Sequence, residues 1–216
     1  MLILALFLTS AFNECFDSNL YGSLYKSLNR AEEIGISHDD LMIVNANLLD
    51  YIQGTRDTLD MTAEINGQVR EVFNDKEKEH MVDVKQLYMD AKQARDILLY
   101  ASIVLIAIIF ITRKKMAIRM VASGYLLASY IFMAVIILIG AYALLQFDQF
   151  WIQFHQLIFT NDLWLLDPKT DILIQMVPSE FFYALVKAIL KTFVSWFAAS
   201  FFAAWLFKRF GKLIML

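Results

Sequence analysis

The chain has 216 residues, of which 59% are hydrophobic, and its formal net charge is −3. So large an apolar fraction exceeds what a soluble domain of this length can bury, and it predicts a polytopic membrane protein. The slightly acidic balance excludes a nucleic-acid-binding protein, which needs a basic surface. The single cysteine, Cys15, excludes an intramolecular disulfide framework.

The apolar segment 1–16 is predicted to be the first transmembrane helix. Its unbroken apolar part, 1–12, is shorter than the roughly 20 residues that cross a bilayer core. The helix is therefore expected either to continue through Phe16 or to lack residues upstream. Because the residues before Cys15 are not the small ones of a signal-peptide cleavage site, the segment is expected to remain as an anchor.

The next segment, 17–96, carries 16 acidic and 9 basic residues, which predicts a small water-facing domain. Within it, Ser37 is a helix N-cap with an acid three residues later, and Gly54 is the matching stop signal. Asn66-Gly67 favours a two-residue β-hairpin, since both residues tolerate positive φ. The domain is therefore predicted to contain helices and one β-hairpin.

A capping box at 74–77 begins a helix that meets no glycine or proline before Gly124, so this helix is expected to run from about Asp75 into the membrane. Short loops rich in Lys and Arg stay cytoplasmic, which places both termini and the loop 113–119 inside. The fold class is thus an all-α membrane protein with four transmembrane helices and a small extracytoplasmic domain. The remaining segments are the second, third and fourth transmembrane helices at 97–112, 120–147 and 181–207, an extracytoplasmic interfacial segment at 148–180, and a cytoplasmic tail at 208–216.

This topology places two histidines on the same face of the membrane. His80 has Asp83 one helical turn away, where a carboxylate could fix the imidazole tautomer and stabilise its protonated form. His155 lies among aromatic residues typical of the headgroup level. Two imidazoles there could act as general base and as acid or oxyanion donor. The simpler alternatives are a surface histidine and an interfacial anchor.

Geometry sets a condition for a shared site. His80 precedes Ile97 by 17 residues, which is roughly 25 Å of helix. The helix is therefore expected to lean, break or lie along the surface before Asp96, because a straight upright helix would separate the histidines.

Other polar residues have weaker signals. Asn161-Asp162 and Asp167-Pro168 are turn and cap residues first. Lys187 and Lys191 are one helical turn apart near the outer start of the last span, where they either snorkel to headgroups or contact lipid phosphates. The grouping of His80, Asp83 and His155 lacks the tight spacing of a metal site, so no metal or cofactor is predicted.

Four strings in the sequence carry a family resemblance. In order and spacing they resemble the lipoprotein intramolecular transacylases, four-span membrane proteins of bacteria, and the similarity extends over nearly the whole chain. The strings are Gly35-Ile36-Ser37, Leu48-Leu49-Asp50-Tyr51, His80-Met81-Val82-Asp83-Val84-Lys85, and Phe154-His155 followed by Asn161-Asp162-Leu163-Trp164-Leu165-Leu166-Asp167-Pro168-Lys169-Thr170-Asp171.

The resemblance implies an enzyme of the bacterial cell membrane whose substrates are diacylated lipoproteins. Such an enzyme moves the sn-2 acyl chain of the diacylglyceryl group onto the α-amino group of the N-terminal cysteine and leaves an N-acyl lyso-form lipoprotein. On this basis one of His80 and His155 is expected to be the base and the other the electrophilic partner, with Asp83 orienting His80. The expected substrate-binding residues are Asn161, Asp162, Trp164, Asp167, Lys187 and Lys191; the first four could instead shape the loop, and the two lysines are expected to contact lipid phosphate.

Two alternatives remain open at this stage. An acyltransferase or esterase acting on free phospholipid would show intermolecular transfer. A non-catalytic membrane sensor or assembly factor would use the 17–96 domain to bind a partner and its histidines to respond to acid pH.

Overall fold

The computed structural model describes residues 1–210, which divide into two compact units. We name them the polar unit, 14–91 and 146–186, and the apolar unit, 1–13, 92–145 and the described residues from Lys187 onward. In chain order the elements are α1 (Leu2–Cys15), α2 (Ser18–Ser27), α3 (Arg30–Ile34), α4 (His38–Gln53), β1 (Thr62–Ile65), β2 (Gln68–Glu71), α5 (Asp75–Arg113), a 3₁₀ turn (Lys114–Met116), α6 (Ala117–Leu145), α7 (Phe147–Ile158), α8 (Ile172–Met176) and α9 (Ser179–Phe210).

In the polar unit, α4 begins and ends where its capping residues predict. The Ser37 hydroxyl accepts a hydrogen bond from the Asp40 amide at 3.0 Å, and Gly54 adopts φ +80° at the other end. The inward face of α4 is apolar, with Leu41, Val44, Leu48 and Leu49 buried. Burial of this face, more than helix propensity, stabilises a 16-residue helix.

The predicted hairpin is present, and its tip is anchored to the rest of the polar unit. β1 and β2 pair antiparallel around Asn66 and Gly67, which have φ of +54° and +76°. The Asn66 amide donates to the Gly35 carbonyl at 2.8 Å. Gly35 itself has φ +78°, and a Cβ there would lie 2.0 Å from the Asn66 side-chain oxygen, so this position requires glycine.

Helix α5 starts at the predicted capping box and continues for 39 residues. The Asn74 amide donates to Glu77 Oε2 at 2.7 Å, and the Glu77 amide donates to Asn74 Oδ1 at 3.0 Å. The break considered before Asp96 is absent: α5 is continuous from Asp75 to Arg113. Helix α5 belongs to the polar unit up to Ala91 and to the apolar unit from Lys92.

The interfacial segment 148–180 folds as two helices, α7 and α8, joined by an irregular loop at 159–171. A mostly helical fold with one small antiparallel sheet is therefore confirmed, and the number of four transmembrane helices stays a prediction. Of residues 1–210, two helical stretches are long and apolar enough to span a membrane, 75–145, which contains the 3₁₀ turn, and Ser179–Phe210. Helix α1 is apolar but shorter. The structure describes the first three residues of the predicted tail 208–216, which belong to α9. Residues 211–216 lie outside the described residues.

Aromatic packing forms the core of the apolar unit. Phe193 and Phe197 of α9 are buried with Ile3 of α1. Phe7 packs edge-on against Phe193, with ring centroids 5.4 Å apart. These contacts hold α1 against α9 although α1 is only 14 residues long.

Candidate active site

The structure brings His80 of α5 and His155 of α7 together in the polar unit. Their ring centroids lie 6.2 Å apart, and the residues are only 7% and 6% exposed. We call them the histidine pair. The juxtaposition that charge bias alone suggested is therefore present, and the unbroken α5 does not prevent it, because α7 lies beside the first turns of that helix.

His155 is held in one tautomer by its own helix. Its Nδ1 lies 2.8 Å from the Trp151 carbonyl oxygen. Since a carbonyl can only accept, Nδ1 carries the proton and Nε2 has the free lone pair. Trp164 stacks on the ring at 4.9 Å, and Trp151 contacts it edge-on at 4.5 Å. Burial lowers the pKa of His155, and the hydrogen bond to Trp151 offsets part of that effect.

His80 has a different environment. Phe159 contacts its ring edge-on at 5.3 Å, and its buried Nδ1 has no hydrogen-bond partner among residues 1–210. Burial, and then repulsion from a protonated His155, lowers the pKa of His80 to about 4. The imidazole is therefore neutral near pH 7, and its Nδ1 makes no hydrogen bond to the protein.

Asp83 contacts Asn161 and not His80, the residue that it was expected to orient. Its Oδ2 accepts a hydrogen bond from the Asn161 side-chain Nδ2 at 2.9 Å, and within the described chain no hydrogen bond joins it to His80. It therefore does not fix the His80 tautomer. Its charge still raises the pKa of His80, against the larger effect of burial. The contact also fixes Asn161, whose Oδ1 accepts from the Leu163 amide at 3.1 Å.

The loop that carries Asn161 encloses a cavity of about 460 Å³. Lys76 of α5 donates to the Leu165 carbonyl at 2.5 Å and so holds the loop from its other side. Phe159 and Trp164, which contact the histidine pair, also line the cavity. The complete lining consists of Ile152, Gln156, Phe159, Thr160, Asn161, Asp162, Trp164 and Leu165. The cavity lining is thus half polar and half apolar, and its two aromatic side chains also contact the histidine pair.

Asp167 shapes the same loop from within. Its Oδ1 accepts from the Lys169 amide at 2.9 Å, and its own amide donates to Asp171 Oδ2 at 2.8 Å. These are the hydrogen bonds of a local turn. The structure therefore gives Asp167 the loop-shaping role, whereas Asn161, Asp162 and Trp164 line the cavity.

Two buried carboxylates that sequence reasoning did not assign to the site hold its elements together. Glu77 Oε1 accepts from the Leu173 amide at 2.6 Å, which joins the start of α5 to α8. Asp171 accepts from the Asn74 side chain at 3.0 Å. Burial raises the pKa of Glu77 despite its hydrogen bonds to the Leu173 and Asn74 amides. The capping box identifies Glu77 from sequence, but its partner 96 residues away has no local signal.

The remaining predicted residues, Lys187 and Lys191, lie on α9 and belong to the apolar unit. All other predicted site residues, from His80 to Asp167, belong to the polar unit.

These observations are those of a largely helical enzyme with long apolar helices. Its buried pair of neutral imidazoles is suited to proton transfer. The family model for "Lipoprotein intramolecular transacylase Lit" matches residues 1–182. The chain belongs to this family and is an acyltransferase. No curated protein matches the sequence significantly.

Solved structures with the same fold come from Bacillus cereus. One is described as the membrane integral lipoprotein intramolecular transacylase Lit, with a TM-score of 0.74, 17% identity, and coverage of 98% of this chain and 92% of the other. A histidine-to-alanine variant of that protein gives a TM-score of 0.75 at 18% identity, with coverage of 98% and 90%.

Proposed function

We propose that the histidine pair catalyses the acyl transfer of this enzyme. The chain moves the sn-2 acyl chain of a diacylglyceryl-modified lipoprotein onto the α-amino group of its N-terminal cysteine, giving the N-acyl lyso-form. The observation that carries the assignment is the approach of two buried imidazoles, from residues 75 positions apart, to 6.2 Å. Nucleophile and ester belong to one substrate molecule, so positioning contributes much of the rate enhancement.

His155 is the general base in this proposal. Its Nδ1 proton donates to the Trp151 carbonyl, which leaves Nε2 as the acceptor. The same carbonyl stabilises the imidazolium that forms when Nε2 takes a proton, as the aspartate of a catalytic triad does more strongly. The stacked Trp164 keeps water from the ring. A base with this fixed tautomer is ready to accept the proton of the attacking amine.

His80 is the electrophilic partner. An imidazole with a pKa of about 4 is a poor base, but it is a neutral donor at physiological pH. Since the protein does not use its Nδ1, a ring N–H of His80 can donate to the ester carbonyl oxygen, where negative charge develops. The buried surroundings strengthen that hydrogen bond in the transition state.

The reaction balances without a covalent acyl-enzyme. The amine nitrogen forms a bond to the ester carbonyl carbon while His155 Nε2 takes its proton. The bond from that carbon to the glycerol oxygen then breaks, and the same proton passes to the departing oxygen. An ester and an amine become an amide and an alcohol, and both histidines return to their neutral states.

The loop at 159–171 supplies the substrate contacts in this scheme. Trp164 and Phe159 present aromatic surface to both the pair and the cavity, and Asn161 and Asp162 offer polar groups at the cavity wall. We assign the acyl chain of the ester to the aromatic side and the amine end of the substrate, which reacts in its neutral form, to the polar side. Lys187 and Lys191 on α9 are assigned to lipid phosphates.

The proposed topology has four transmembrane helices, formed by α1 and the apolar parts of α5, α6 and α9. Both termini and the basic turn near Lys114 are cytoplasmic, and the polar unit is extracytoplasmic. The support is the distribution of basic residues, since Arg113, Lys114, Lys115 and Arg119 cluster between α5 and α6 and Lys208 and Arg209 end α9.

The test is mass spectrometry of an N-terminal lipopeptide from cells that contain the wild-type protein, His80→Ala, His155→Ala or no protein. We expect the wild type to move one acyl chain from glycerol to the α-amine at unchanged total mass. Both variants, at normal membrane levels, should leave the diacyl form. Full transfer by both variants would refute the assignment of the pair, and labelled acyl chains arriving from free phospholipid would indicate an intermolecular reaction instead.

A further inference from the structure

A second cavity, of about 620 Å³, lies within the apolar unit. Arg119 from the first turn of α6 and Lys208 and Arg209 from the last turn of α9 line it, together with the side chains Leu126, Tyr130 and Trp205. Cations from two helices that are far apart in sequence therefore line one concave surface, and an aromatic and aliphatic wall continues from them along both helices.

Among the residues that the structure describes, none of these three cations forms a salt bridge. The sequence has no Asp or Glu at 97–147 or after Glu180. The one side-chain carboxylate of the apolar unit is Asp96, which pairs with Arg95 at 2.7 Å. Within residues 1–210, Arg209 instead lies over the Trp205 ring at 5.5 Å. A bound anion would compensate this charge.

We propose that this cavity binds the phosphate of an anionic phospholipid. Arginine and lysine bind phosphate oxygens strongly, and basic pockets between transmembrane helices on the cytoplasmic side recognise acidic headgroups. The amino-terminal end of α6 adds partial positive charge beside Arg119. Leu126, Tyr130 and Trp205 would then contact the glycerol and the first part of an acyl chain, with the tryptophan at the interface.

The positive-inside rule does not explain why the three cations line one cavity. The positive-inside rule depends on the number of basic residues near the ends of the helices and not on where their side chains meet. Arg113, Lys114 and Lys115 satisfy that rule in the same turn, yet they do not line the cavity. They provide a matched control of equal charge.

The experiment is native mass spectrometry of the purified full chain with added phosphatidylglycerol or phosphatidylcholine. The cavity variant combines Arg119→Gln, Lys208→Gln and Arg209→Gln, and the control combines Arg113→Gln, Lys114→Gln and Lys115→Gln. We expect one retained phosphatidylglycerol on the wild type and the control, and at least tenfold weaker retention on the cavity variant. Acyl transfer in detergent by both variants confirms that they are folded.

Three results would overturn the proposal. Equal weakening in both triple variants would mean general charge attraction. Equal retention of phosphatidylcholine would mean contact with the apolar wall alone. Displacement of the lipid by millimolar inorganic phosphate would identify a site for free anions. Should the cavity variant lose acyl transfer as well, Arg119→Lys, which keeps the charge, must retain both the lipid and the activity.

Discussion

At the scale of single residues, the two imidazoles differ in what they can contribute. His155 has its Nδ1 proton engaged and its Nε2 free, whereas His80 has a lower basicity and no hydrogen bond at Nδ1. A substitution that keeps an N–H donor but removes a base therefore separates the two roles.

We expect His155→Gln to reduce kcat by at least about 100-fold, because the amide cannot take the proton of the amine. His80→Gln should retain more activity than His80→Ala, since a glutamine N–H can still donate to the ester oxygen. The measurement is transfer in detergent with a synthetic diacyl lipopeptide. His38→Gln on α4 is the matched control. Equal losses for His80→Gln and His80→Ala would contradict the donor role.

The pH profile follows from the lowered pKa values of both histidines. A free imidazole is half protonated at pH 6.5, and burial lowers the pKa of both rings below that value. We expect the acid limb of kcat that belongs to the base to be centred below pH 6.5. Stability falls in the same direction, because the unfolded chain binds protons that the folded site excludes. An acid limb centred above pH 6.5 would rule out this environment for the base.

At the scale of secondary-structure elements, Glu77 links the first turn of α5 to α8. Glu77→Ala removes the acceptor of two backbone amides, the buried amide of Leu173 and the partly buried amide of Asn74. We expect a loss of about 2 kcal/mol or more. Thermal unfolding in detergent measures it, with Glu79→Ala on the exposed side of α5 as control. Equal melting temperatures for the two variants would show that the link contributes nothing to stability.

The hairpin tip gives a second test at this scale. In Gly35→Ala the new Cβ would meet the Asn66 side chain at 2.0 Å, and the backbone would keep a φ that L residues rarely adopt. We expect a loss of about 1–3 kcal/mol, measured by thermal unfolding. Gly124→Ala is the comparison, since nothing lies within 4 Å of its Cβ position. A hairpin that tolerates Gly35→Ala without loss would mean that its tip is not anchored.

The elements divide clearly into those that sequence predicts and those that it does not. The cap of α4, the capping box of α5 and the turn at Asn66 depend on neighbouring residues, so local patterns predict them. The contacts of Asn161 with Asp83 and of Glu77 with Leu173 join residues 78 and 96 positions apart. Such contacts depend on the packing of distant elements, so local patterns did not indicate that Asp83 contacts Asn161. The roles of Asp83 and of the two histidines stay predictions.

At the scale of the whole molecule, chemical labelling of single cysteines tests the proposed orientation in the membrane. In a Cys15→Ala background, we expect Val69→Cys, on a strand and 76% exposed, to react with a membrane-impermeant maleimide in intact cells. Lys115→Cys should react only after lysis, because the proposed orientation places the turn between α5 and α6 in the cytoplasm. Labelling of Lys115→Cys in intact cells would reverse the proposed orientation.

The stacking of Trp164 on His155 has an optical consequence. An indole excited next to an imidazolium loses its emission by electron transfer, whereas a neutral imidazole quenches it much less. The protonation of the proposed base should therefore appear as a change in tryptophan fluorescence, and Trp164→Phe should reduce it, with Trp151, which also contacts the His155 ring, giving the remainder. The enzyme thus contains an intrinsic spectroscopic reporter, and the charge on its base can be followed in a single turnover without any added dye.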